Sequence, residues 1–229
     1  MPRYRLQYAK LDQARFLSHR ELMTTLQRAL RRASFPLTYT RGYNPRPKFS
    51  FGPPLGVGVA GWREYLDLET DEEINTENGC LQGLNSCLPA GVRGCRLAPI
   101  PPGDIGLGKL INCASYLVEV SPDEHSRGLE RLQDSISRKE SWLYKRPADG
   151  KVFDVAAAII KSGIHHEDGR LFLEVLLKIG SGEAPVRGLL DVVAQAGAIP
   201  LRVTRNGLYR LEGSLLSDPL GQKKDLKLR

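Results

Sequence analysis

The residues best suited to chemistry crowd into the first fifty positions. Arg20, Arg28, Arg31 and Arg32 fall in one stretch, and Arg41, Arg46 and Lys48 in a second. Tyr43 and Asn44 sit inside the second stretch. A guanidinium is a planar fork that matches phosphate oxygens. Tyr43 can stack on a base and Asn44 can hydrogen-bond one, while Gly42 lets the backbone approach closely. Turn chemistry accounts for the same two residues: Asn-Pro starts turns, and a tyrosine can cover a core edge. His19 is the other group with reactive potential. Its imidazole titrates near neutrality and suits removal of a hydroxyl proton. A first-turn histidine with no role, or one that only touches a polyanion, fits the same position.

The charge is lopsided. Residues 1–50 hold eleven Lys/Arg against Asp12 and Glu21, a local net of +9, whereas all 229 residues sum to +7. The remaining 179 residues therefore carry −2, although the last seven hold four Lys/Arg and one Asp. Such a block points to a polyanion-facing surface. A solvated basic face without a partner is the plain alternative.

Other chemistries lack their residues. The four cysteines, Cys80, Cys87, Cys95 and Cys113, form no C-x-x-C pair and no iron–sulfur triplet. They read as small buried hydrophobes with free thiols, and no metal or cofactor is expected. Phosphate-loop, nucleophile-elbow and H-E-x-x-H signatures are missing. His165-His166-Glu167-Asp168-Gly169 resembles a ligand cluster but reads as a solvated hairpin turn. No apolar run approaches the roughly 18 to 20 residues that span a bilayer. The N-terminus has no secretory pattern, so no membrane contact and a cytoplasmic location are expected.

The elements that must position these groups follow from periodicity. Tyr4–Phe16 reads as a strand with Tyr4, Leu6 and Tyr8 on one face. Ser18-His19-Arg20-Glu21 is a capping box, with Leu17 and Leu22 placed as its staple. The helix it opens runs to about Ser34. Leu22, Leu26, Ala29, Leu30 and Ala33 form its buried stripe, with Arg20 and Arg31 opposite and Arg28 and Arg32 flanking. Strands are expected at 37–40, 62–68 and 92–100, a helix at 76–88, and a basic Pro/Gly loop at 41–48. Beyond a Pro/Gly joint, strand 114–120 and helix 123–137 come next. Strands follow at 142–144, 155–161 and 170–179, the last two forming a hairpin. Helix 186–196 and strand 201–211 complete the pattern. The order β-α-β-β-α-β occurs twice. The expected fold is α+β, two ferredoxin-like halves in tandem, packed together. Their bounds are 1–102 and 112–214, with a linker at 103–111 and a basic, mobile tail at 215–229.

The motifs of the N-terminal half carry a resemblance. They are Arg15-Phe16-Leu17-Ser18-His19, Arg28-Ala29-Leu30-Arg31-Arg32-Ala33, Pro36 through Pro47, Pro54-Leu55-Gly56-Val57-Gly58 and Glu64-Tyr65-Leu66-Asp67. This run resembles the radical-SAM-linked protein family, found beside or fused to cobalamin-binding radical-SAM proteins. The likeness is dense over about the first 70 residues and looser beyond, where Asp154 and Arg205 look family-like. It implies a radical-SAM partner and a link to RNA and ribosome genes, without an assigned activity. The initial Met and the missing cluster cysteines suggest the separate, stand-alone form. The leading expectation is an RNA-binding accessory protein that presents tRNA or rRNA to a radical-SAM modification enzyme, more a binder than a catalyst. Arg20, Arg28, Arg31, Arg32, Arg41, Tyr43, Asn44, Arg46 and Lys48 would contact the RNA. A second expectation is a metal-independent endoribonuclease using His19. Duplicated ferredoxin-like ribonucleases that process CRISPR repeats use a histidine near that place, although their glycine-rich C-terminal loop is missing here. A third is a protein-docking subunit without RNA affinity.

Overall fold

The structure is a computed structural model that describes residues 1–76, 79–121, 126–138, 140–180 and 185–225. It divides into two compact units. The first comprises Met1–Ile111 with Asp218–Gln222, and the second Asn112–Ser217 with the residues from Lys223 onward.

In the first unit, β1 (Arg3–Lys10) leads through a 3-10 turn (Asp12–Phe16) to α1 (His19–Arg32). Then come β2 (Phe49–Phe51), β3 (Ala60–Glu69), α2 (Cys80–Cys87), β4 (Val92–Pro99) and the short α3 (Leu107–Leu110). The sheet order is β4-β1-β3-β2, and every neighbour is antiparallel. Leu22, Leu26, Ala29 and Leu30 are the buried stripe of α1. They pack with Tyr4, Leu6 and Tyr8 of β1, Leu66 and Leu68 of β3, Leu84 of α2, and Val92 and Leu97 of β4. Ala33 and Leu17 join this core only partly buried.

Three expectations in this unit need correction. The first strand stops at Lys10, because Asp12 adopts a left-handed φ of 47° that breaks the ladder. Residues 37–40 make only two isolated bridges, Leu37 to Thr70 and Tyr39 to Pro47. Prolines at 36, 45 and 47 remove the donors a full strand needs. The segment 103–111 is no free joint. It lies within the first unit, where Leu107 is fully buried and α3 packs on β2 and β3.

In the second unit, β5 (Cys113–Val120) precedes α4 (Ser126–Ser137). The hairpin of β6 (Leu143–Lys145) and β7 (Val152–Asp154) follows, then the single turn α5 (Val155–Ala158). Next are β8 (Ile159–Glu167), β9 (Arg170–Lys178), α6 (Val186–Gln195) and β10 (Pro200–Glu212). Their order is β10-β5-β9-β8, with antiparallel neighbours throughout. Asp168 and Gly169, at φ 50° and 71°, make the β8–β9 turn that two positive-φ residues favour. The strand expected at 155–161 begins only at Ile159. Asp154 caps a helical turn first, its carboxylate accepting from the Ala157 N–H. The expected start of α4, residues 123–125, lies outside the described residues. The tail is also not wholly loose: β11 (Leu215–Ser217) pairs with β10 and with β12 (Lys223–Asp225).

Candidate nucleic-acid interface

Helix α1 is held at its start by the capping box. The Ser18 N–H donates to Glu21 Oε2 at 2.8 Å, and Ser18 Oγ accepts from the Glu21 N–H at 3.3 Å. The Ser18 hydroxyl also donates to Oε2, at 2.7 Å. The backbone and then the hydroxyl of Ser18 hold the Glu21 carboxyl below its ordinary pKa. His19 follows the cap, half-buried, with its ring edge-on to Phe51 at 5.3 Å. Desolvation lowers its pKa first, and the nearby Lys10 charge lowers it further. Both effects favour the neutral imidazole.

Arg20, Arg28, Arg31 and Arg32 are all exposed on α1. Arg28, Arg31 and Arg32 sit three and four residues apart, so they share one helical face. Thr25 extends this face one turn back. Across from it lies the end of α2, with Ser86, Cys87, Leu88 and Pro89. Together these residues line a groove of about 810 Å³. Arg32 Nη2 donates to the Cys87 carbonyl and ties the two helices together.

The basic loop leaves the sheet at the other end of the 33–48 segment. The Thr40 N–H donates to the Arg46 carbonyl at 2.8 Å, and the Arg46 N–H to Thr40 Oγ1 at 3.0 Å. These two bonds pinch the base of a small projecting loop. Gly42, at φ 132°, turns it. Arg41, Asn44 and Arg46 are exposed, and Tyr43 is 99% exposed, so Tyr43 covers no core edge. The Thr38 N–H donates to the Glu69 carbonyl. The loop therefore stands at the end of β3, on the side where α1 finishes.

The predicted residues are thus not all brought together. Arg31, Arg32 and the loop lie toward one end of the first unit. Arg20 and His19 lie toward the other, with Arg20 about 16 Å from Arg31 along the helix axis at 1.5 Å per residue. Lys48 is half-buried and pairs with Glu69 at 2.9 Å. Two other cations of the N-terminal block are internal. Arg5 and Lys10 are 2% and 0% exposed. Lys10 Nζ donates to the Leu17 carbonyl at 2.7 Å, beneath the start of α1. The basic surface is therefore smaller than the charge count implies. A strand position between apolar neighbours was the available signal for both buried cations. Nothing in the sequence signals that Ser86–Pro89 face α1.

Asp154 holds a local structural role. It accepts from the Ser141 hydroxyl, the Trp142 N–H and the Ala157 N–H, and these bonds lower its pKa against the opposing effect of burial. Arg205 is buried in β10. His165 is no solvated turn residue: its ring stacks on Phe172 at 5.4 Å, and its buried Nδ1 has no hydrogen-bond partner.

A family of bacterial proteins, described as "uncharacterized protein conserved in bacteria (DUF2344)", matches residues 3–185. The chain belongs to this family. The match extends beyond the motif-dense N-terminal half into the second unit, as far as residue 185. A comparison with curated proteins found no match. Among solved structures, the chain is similar to a chain of a Cbf5-Nop10-Gar1 complex, with TM-score 0.48 and 11% identity over 92% of this chain and 51% of that one. It is also similar to a chain of the archaeal box H/ACA sRNP Nop10-Cbf5 complex, with TM-score 0.41 and 12% identity over 87% of this chain and 46% of that one. The chain thus spans about half the length of these two solved chains. No described helix is long and apolar enough to cross a membrane.

Proposed function

We propose that this chain is an RNA-binding accessory protein that serves a cobalamin-binding radical-SAM enzyme in tRNA or rRNA modification or processing. One observation carries the RNA part. Among the described residues, Arg20, Arg28, Arg31, Arg32, Arg41 and Arg46 are exposed and none pairs with a carboxylate. Unpaired guanidinium groups on a folded surface attract phosphate and release counterions when they bind it. Tyr43 adds a bare ring between Arg41 and Arg46 in the projecting loop, on which a base can stack. The radical-SAM partner rests on the resemblance of residues 16–67 alone.

In this reading each unit is a ferredoxin-like fold. The strand orders β4-β1-β3-β2 and β10-β5-β9-β8 support it, since both alternate as a β-α-β-β-α-β chain requires. RNA then binds the first unit, and the second unit stays available to the enzyme.

A mobility-shift series with total tRNA and rRNA fragments tests the reading. Binding should weaken steeply with salt, and each phosphate-contacting Arg→Ala change should lower the salt slope by about one. Salt-insensitive or undetectable binding at low salt would overturn it. Co-purification with the enzyme that survives nuclease, without RNA affinity, would assign the basic surface to protein docking.

A further inference from the structure

The groove between α1 and the end of α2 has a chemistry the loop lacks. One wall carries Arg28, Arg31 and Arg32, and the other carries Leu88 and Pro89. The end of a helix bears partial negative charge from its last carbonyls, which opposes anion binding. The last turn of α2 contains no cation of its own. Arg32 supplies one from α1 by donating to the Cys87 carbonyl, so it offsets that negative end. Arg28 and Arg31 remain exposed, and among the described residues neither has a carboxylate partner. The groove therefore joins two available guanidinium groups to the apolar side chains of Leu88 and Pro89. Its volume, about 810 Å³, falls within the range of small-molecule sites.

We propose that this groove binds a nucleoside 5′-phosphate, its phosphate on Arg28 and Arg31 and its base against Leu88 and Pro89. The nucleotide is free or the 5′-terminal residue of an RNA strand. The RNA-end form rests on the RNA-binding reading above, whereas the free-nucleotide form does not. Phosphate alone engages only one wall, and a nucleoside alone only the other, so each binds more weakly than the nucleotide.

The test is an amide chemical-shift titration of the full chain with AMP, UMP, adenosine and inorganic phosphate, followed by 5′-phosphorylated and 5′-hydroxyl oligoribonucleotides. AMP and UMP should shift amides of Thr25–Arg32 and Ser86–Leu88, with adenosine at least about tenfold weaker, the worth of one charge-assisted hydrogen bond, and inorganic phosphate weaker because it leaves the Leu88–Pro89 wall uncovered. Arg28→Ala with Arg31→Ala should abolish these shifts, and Arg41→Ala with Arg46→Ala should leave them unchanged. Both pairs are surface changes; Arg28→Gln with Arg31→Gln repeats the test should the alanine pair lose its native melting profile. A preference for the 5′-phosphorylated strand identifies the RNA-end form, and equal binding of both strands leaves the free nucleotide as ligand. Absence of groove shifts with AMP and UMP, or equal shifts with phosphate, overturns the proposal. If RNA still binds through the 41–46 loop in that case, the RNA reading stands. If AMP binds and RNA does not, the RNA reading falls and the groove remains.

Discussion

Arg5 and Asp67 form a buried, two-pronged ion pair across neighbouring strands. Arg5 Nε donates to Asp67 Oδ1 at 2.7 Å and Nη2 to Oδ2 at 2.9 Å, with the side chains 2% and 3% exposed. The two residues are directly opposite in the β1–β3 register. The same guanidinium donates to the carbonyls of Pro219 and Ile105. One side chain thus ties β3, the 100–111 segment and residues 218–222 into the first unit.

Breaking this pair should be costly. Arg5→Ala leaves a buried carboxylate and two carbonyls without their donor, and should destabilise the first unit by about 3–5 kcal/mol. Arg5→Met combined with Asp67→Leu should cost less than either single change, because no buried charge is stranded. Urea unfolding of Arg5→Ala, Arg5→Met, Asp67→Leu and the double variant checks this. A double variant no more stable than Arg5→Ala would contradict it.

The helix cap makes a pH-dependent prediction. Glu21 has a lowered pKa in the folded chain, so its contribution is present above the ordinary value of 4.5 and fades as pH falls through the lowered value. Ser18→Ala should cost about 1 kcal/mol at neutral pH; it removes the hydroxyl donor to Glu21 but keeps the backbone N–H of residue 18, so the carboxyl pKa rises only part of the way. Thermal melts between neutral and acid pH should show a smaller acid-side loss in the variant than in the parent.

His19 should titrate below its ordinary value of 6.5, because burial and the Lys10 charge both oppose protonation. The unfolded chain then takes up a proton that the folded chain refuses. Stability from this group is therefore intact above 6.5 and declines as pH falls toward the folded value. Proton NMR of the imidazole measures the shift directly, and His19→Gln should flatten that part of the stability profile. Intact RNA after long metal-free incubation with the parent would rule out the ribonuclease role.

The projecting loop separates binding from folding. Tyr43 is 99% exposed. Tyr43→Ala should leave stability within about 0.5 kcal/mol, yet weaken RNA binding by roughly 1–3 kcal/mol if a base stacks there. Unchanged affinity alongside unchanged stability would leave Tyr43 as a turn residue only.

Two helix glycines should respond oppositely to alanine. A Cβ at Gly128 of α4 would run into the Ala196 carbonyl oxygen, whereas one at Gly83 of α2 meets nothing within 4 Å. Gly128→Ala should destabilise by about 1–3 kcal/mol through overpacking. Gly83→Ala should stabilise by roughly 0.5–1 kcal/mol through reduced chain entropy. Parallel denaturation curves decide both.

Local chemistry was legible in the sequence wherever its causes were local. The capping box needs only Ser18 and Glu21 three residues apart, and the buried stripe of α1 only the helical period of Leu22, Leu26, Ala29 and Leu30. The β8–β9 turn needs only Asp168 and Gly169. Contacts between distant segments were not legible. Lys10 and Arg5 count as basic residues in a composition, but their neighbours in space, Leu17 and Asp67, decide that they are internal. Likewise Arg32 meets Cys87 only because α1 and α2 pack in the same unit. Local patterns decide how a short segment bends and which face it buries, since those depend on neighbours a few residues away. Which cations remain available to a ligand depends on partners brought from far along the chain, and only the tertiary structure settles that.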